Sequence, residues 1–70
     1  MTIGFIGLGN MAKAMIGGIV SKGLYSTADI MGSAGTEATC DTVSAEFGIK
    51  TTTDNAEVAS KADILVLAIK

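Results

Sequence analysis

Apolar residues in this chain come in short runs separated by stretches with helical spacing. Thr2 to Ile6 is a short apolar run closed by glycines, the pattern of a buried parallel strand. From Asn10 to about Lys22, apolar or small residues return at Met11, Ala14, Met15, Gly18 and Ile19. That spacing of i, i+3, i+4, i+7 and i+8 predicts a helix with one buried face. Gly23 stands where a C-terminal capping glycine belongs.

Ala28 to Gly32 (ADIMG) reads as a second strand and Gly32 to Gly35 as a turn. Thr36 to Phe47 predicts a second helix, with Cys40, Val43 and Phe47 facing inward and Gly48 ending it. Ile49 to Thr52 is a short, β-branched third strand. Asp54 caps a brief helix, and Asp54-Asn55-Ala56-Glu57 has the spacing of a capping box, with Asp in place of Ser or Thr. Ala62 to Lys70 (ADILVLAIK) is nearly unbroken apolar sequence, which predicts a central strand covered on both faces.

The order β-α-β-α-β-α-β predicts an α/β fold with a parallel sheet and right-handed crossovers. The chain stops on its most buried-looking strand. The expectation is therefore a truncated unit, the first βαβαβαβ half of a larger domain. Composition points the same way. Seventy residues make at most one small, marginal domain, yet 49% of them are hydrophobic.

Charge and residue inventory remove several functions. Net charge is −2, with no basic face, so nucleic acid is not an expected ligand. Cys40 is the only cysteine, which rules out a disulfide within the chain and predicts a small buried hydrophobe. With no His, one Cys cannot build a zinc site. The apolar opening lacks the basic start of a signal peptide, since Lys13 is the first base and five glycines interrupt the first twenty residues. A cytoplasmic protein that does not enter the membrane is expected.

The chemistry lies in Gly7-Leu8-Gly9-Asn10-Met11-Ala12, a G-x-G-x-x-A run between the first strand and first helix. Gly7 turns the chain off the strand. Gly9 has no Cβ, so backbone can approach a pyrophosphate. Ala12 lets the helix pack close to the sheet. Amides opening the helix then face the phosphates, aided by the helix dipole. These are the marks of a Rossmann-type dinucleotide-binding domain, with Ile6, Gly7, Leu8, Gly9, Asn10 and Met11 around the cofactor.

An acidic residue closing the second strand would select NAD by binding the ribose 2′-hydroxyl. Asp29 has about the right sequence distance but starts that strand, far from the phosphates, and reads as a solvated residue. The position itself falls at Gly32, Ser33 or Ala34, none acidic. Ser33 and Thr36 carry hydroxyls able to donate to a 2′-phosphate. NADP(H) is therefore favoured and NAD(H) possible, since no Arg or Lys lies in the turn and Glu37 is close. Ala68, Ile69 and Lys70 close the fourth strand on the nicotinamide side, with a solvated Lys70 as the plainer alternative. Asn55 falls on the adenosine side, either at the cofactor or only within a helix cap.

The residues IGFIGLGNMAKAMIGG, IMGS and ADILVLAIK together resemble pyrroline-5-carboxylate reductases over the whole chain. The resemblance implies reduction of the C=N bond of 1-pyrroline-5-carboxylate to L-proline, with hydride from NAD(P)H. It implies that Gly7 to Met11, Ser33, Asn55 and Ala68 to Lys70 surround the cofactor. Ala34 departs from the polar residue common at the second position of the serine turn, which weakens the expected phosphate clasp. The resemblance also implies a further half-sheet and a helical dimerisation domain, hence a homo-oligomer, with the substrate pocket outside this chain. These residues alone are then expected to give no turnover. The alternatives are a 3-hydroxyisobutyrate or 6-phosphogluconate-type dehydrogenase, which shares the GFIGLG-x-M opening, and a non-catalytic nucleotide-sensing module.

Overall fold

The computed structural model describes residues 1–69. Strand β1 (Ile3–Ile6) lies inside a four-stranded parallel sheet of order β3-β2-β1-β4. It pairs with β2 (Ile30–Ser33) from Ile3↔Ile30 to Ile6↔Ser33, and with β4 (Ile64–Leu67) from Ile3↔Ile64 to Ile6↔Leu67. Strand β3 (Lys50–Thr52) adds to the far side of β2. The order reverses between β1 and β4, so the carboxyl ends of those two strands flank the switch point of an open α/β sheet.

Side chains alternate across the sheet as the pleat requires. Ile3, Phe5 and Ile30 point into a core shared with helix α1 (Asn10–Ser21) through Ala12 and Ile16, and with helix α2 (Glu37–Phe47) through Cys40 and Val43. Gly32 faces the same side. A Cβ there would stand 2.5 Å from Leu8 Cδ2, so the missing side chain makes room for Leu8 to enter the core. On the other face, helix α3 (Asn55–Lys61) seats Val58 over Gly4. Burying Val58 completely contributes about 1.5–3 kcal/mol.

The expected helix stops are in place. Gly23 has φ +66°, its N–H donates to Val20 O, and Leu24 N–H donates to Ile19 O, the paired bonds of a Schellman end. Gly48 has φ +72° and donates to Ser44 O. Cys40 is buried as expected, and its thiol donates to Thr52 O. Among the described residues, no helix is long and apolar enough to cross a membrane, and no cluster of His, Cys, Asp or Glu is arranged for a metal.

Four expectations are corrected. First, α1 buries a face rotated from the expected one, which keeps only Ile19 of the expected residues packed against the core. Ala12 and Ile16 are fully covered, while Met11 and Met15 are 56% and 41% exposed. The helix is apolar on two faces, and the sheet takes the one that begins with a small residue, because only Ala12 permits close approach. Second, Ala28 and Asp29 form a 3-10 turn (Thr27–Asp29), and the strand begins at Ile30. Ser26 Oγ accepts from Ala28 N–H, a local bond that competes with extension. Gly32 lies in β2 as expected, and Ser33 belongs to the strand and not to the turn after it.

Third, the capping box is only half made. Asp54 Oδ1 accepts from Ala56 N–H, but the Asp54 N–H donates to Thr52 Oγ1. Glu57 instead accepts from Thr52 Oγ1 and from Lys61 Nζ. Fourth, β4 covers only Ile64–Leu67 and forms the sheet edge, with Ile64, Leu65 and Leu67 exposed. Its sequence has the apolarity of a central strand, but among the described residues only β1 pairs with it.

Candidate functional site

The site grows from the turn that leaves β1. Gly7 has φ +98°, a conformation L side chains rarely adopt. Its N–H donates to Ser33 O at 2.9 Å, which carries the β1–β2 ladder one residue past the strand. A Cβ on Gly7 would lie 2.8 Å from the Ala68 carbonyl oxygen. Ala68 N–H in turn donates to Ile6 O. The ends of β1, β2 and β4 are thus tied together at one backbone junction, and only a glycine fits its centre.

Two residues on, Gly9 forms the N-cap of α1 in extended conformation and has no side-chain cap. The first bond within the helix runs from Lys13 N–H to Gly9 O. The amides of Asn10, Met11 and Ala12 therefore precede the helical ladder, as the first N–H groups of any helix do. They carry the positive end of the helix dipole with no acidic side chain in the first turn to neutralise it. A Cβ on Gly9 would meet nothing within 4 Å. Gly9, Asn10, Met11 and Ala68 line a cleft of about 680 Å³ at this point, within the usual range for small-molecule sites.

This donor set suits an anion bridging two nucleosides. It offers bare backbone, uncapped amides and space, with no carboxylate side chain among the described residues of the cleft wall. The fingerprint residues are thereby brought together, with distinct roles. Asn10 and Met11 stand exposed at the mouth, whereas Leu8 turns its side chain into the core and contributes backbone only. Ile6 is half-buried at the end of β1. Ala68 forms the opposite wall, and Ile69 is exposed beside it, with its Cγ2 at 2.8 Å from the Gly7 Cβ position. Lys70 lies outside the described residues.

The second group gathers at the end of β2. Ser33 is fully buried, on the α3 face of the sheet, and its hydroxyl donates to Asn55 Oδ1 at 2.5 Å. Sequence reasoning placed both residues at the adenosine side but did not foresee this bond. The signal was available in the pleat: Ser33 alternates with Gly32, so it faces α3. Thr36 is used as the α2 N-cap, accepting from Thr39 N–H and donating to Thr39 Oγ1. Asp29 sits at the amino end of the sheet, as expected, remote from the cleft at the carboxyl ends.

Known proteins align with this chain along almost all of its length. The family described as "NADP oxidoreductase coenzyme F420-dependent" matches residues 2–70. A pyrroline-5-carboxylate reductase of Vibrio alginolyticus is 43% identical over 68 residues, which is 97% of this chain and 25% of that protein. The human pyrroline-5-carboxylate reductase 2 is 38% identical over 72 residues, covering all of this chain and 22% of its own length. A solved pyrroline-5-carboxylate reductase from Coxiella burnetii superposes with a TM-score of 0.89 at 35% identity, over 97% of this chain and 25% of that one. The chain thus spans about a quarter of the length of these relatives.

Proposed function

Because this chain belongs to the family described as NADP oxidoreductase, coenzyme F420-dependent, we propose that it is the cofactor-binding first part of a pyrroline-5-carboxylate reductase. The observation that carries the reading is the Gly9 cradle: exposed backbone opening α1 onto a cleft at the strand switch point. The substrate comes from the name borne by the relatives over this stretch.

In this reading Gly7, Gly9, Asn10 and Met11 hold the diphosphate. Ser33 and Asn55 lie toward the adenosine ribose, and Ala68 and Ile69 line the nicotinamide half, with Lys70 following them. A nicotinamide bound there supplies the hydride for the C=N carbon of 1-pyrroline-5-carboxylate, and a proton on nitrogen completes L-proline. The protein's part is to fix the dinucleotide and leave one ring face open to the substrate. The substrate pocket and the contacts between subunits of a homo-oligomer belong to the remaining three quarters seen in the relatives. NADPH is preferred over NADH because no carboxylate closes β2, so nothing there repels a 2′-phosphate.

The test is a spectrophotometric assay of the full-length protein with 1-pyrroline-5-carboxylate, following NADPH and NADH oxidation in parallel. Proline formation with the lower KM for NADPH is expected. Tight NADPH binding with no turnover of this imine would refute the substrate, and failure to bind either nucleotide would refute the reading as a whole.

A further inference from the structure

Helix α1 carries an apolar outer face that none of the described elements covers. Met11, Met15 and Ile19 form one row at spacing i, i+4, i+8, and both methionines are exposed. Beside it runs a second row, Ala14, Gly18 and Lys22, whose middle position has no side chain. Rows of this kind are the ridges and grooves through which helices pack. Ala14, Met15, Gly18, Ile19, Lys22 and the exposed Leu24 line a groove of about 300 Å³.

Glycine inside a helix weakens its folding equilibrium about two- to fivefold relative to alanine. Gly18 lies within α1, its φ is not positive, and a Cβ there would meet nothing within 4 Å. Neither backbone conformation nor any described neighbour therefore requires a glycine at this position. Gly17 differs, because its Cβ would already stand 3.5 Å from Phe47 Cε1 on α2.

We infer that a helix from the remaining three quarters of the full-length polypeptide docks in this groove, with one of its ridges crossing α1 closely at Gly18. The relatives supply the length for it, since this chain spans only 25% of the Vibrio and Coxiella proteins. A contiguous apolar surface on a soluble protein marks an interaction site. The face is also continuous with the nucleotide cleft, because Met11 lines that cleft one helical turn before Met15. The docked helix thus borders the cleft and fixes where the substrate-binding part stands against the cofactor. The inference rests on the reading of this chain as the first part of a longer reductase.

Thiol labelling of the full-length protein tests it. Met15→Cys and Leu24→Cys, each scaled to its own rate in urea, should react with an uncharged maleimide at least about tenfold more slowly than Ala59→Cys, an exposed position on α3. Gly18→Leu should lower the melting midpoint by several degrees, because its side chain meets the docked helix. On an open surface leucine is the better helix former and would raise the midpoint. Labelling of Met15→Cys and Leu24→Cys as fast as Ala59→Cys, or a raised midpoint in Gly18→Leu, overturns the inference. Protection that vanishes on dilution to monomers overturns it too, since the cover would then be a second subunit. All of these outcomes leave NADPH binding intact; absence of binding by the unsubstituted protein would instead remove the underlying reading, and this inference with it.

Discussion

Gly9→Ala separates binding from folding at a single atom. The backbone at Gly9 has φ −80° and ψ −167°, which alanine adopts freely, and the added methyl would contact nothing within 4 Å. Replacing glycine at a compatible position restricts the unfolded chain and stabilises by about 0.4–1 kcal/mol. Stability should therefore be unchanged or slightly higher. Binding should collapse. Phosphate oxygens must come within about 2.9 Å of the helix-opening amides to be bonded, and a methyl on the cleft wall keeps them at van der Waals distance. Losing two hydrogen bonds to a charged group, at about 1.5–3 kcal/mol each, amounts to about 3–6 kcal/mol. At about 1.4 kcal/mol per tenfold, NADPH affinity should fall roughly 10²- to 10⁴-fold. Calorimetric titration and thermal melts of the full-length variant measure both sides. Native NADPH affinity, or a melting midpoint several degrees lower, would refute the assignment of Gly9 to the cradle.

Gly7→Ala should act in the opposite sense. Positive φ costs about 1–3 kcal/mol, and the collision with the Ala68 carbonyl adds about 1–3 kcal/mol of overpacking; a wild-type urea midpoint would contradict this. Ile16→Ala empties a fully buried site under α1 and should cost about 2–5 kcal/mol in chemical denaturation, with nucleotide affinity preserved in the folded fraction. Glu57 has its pKa lowered by the hydrogen bond from Lys61, then by that from Thr52 and the Lys61 charge. A depressed carboxylate stabilises above its unfolded pKa and loses that contribution as pH falls through the folded value. The melting-point advantage of the native protein over Glu57→Gln should thus be small, present at neutral pH and gone in acid; an advantage that grows on acidification would refute it.

The elements and their order were legible because each rests on short-range chemistry. Gly23 and Gly48 stop helices through their left-handed backbone, Asp54 caps α3, and G-x-G-x-x-A bends β1 into α1. What escaped the sequence required knowing who packs against whom. Met11 and Met15 look as buried as Ile16 in one dimension, and only the sheet decides that Ala12 leads the inner face. The apolar run at Ile64–Leu67 is read correctly as a strand, and among the described residues it pairs with β1 alone. At the site, the backbone cradle followed from glycine spacing. The Ser33–Asn55 bond did not, since it joins residues 22 apart through a crossover.

The edge at β4 has a practical consequence. Four residues with greasy side chains run along a ribbon whose outer row of peptide groups is unclaimed by any other strand among the described residues. Such a border is a ready template for adventitious pairing between molecules. A polypeptide of these seventy residues handled alone should therefore melt irreversibly, with a midpoint that drifts with protein concentration and heating rate. Adding a lysine at Leu67, where the side chain is 62% exposed, should restore reversibility without touching the cleft.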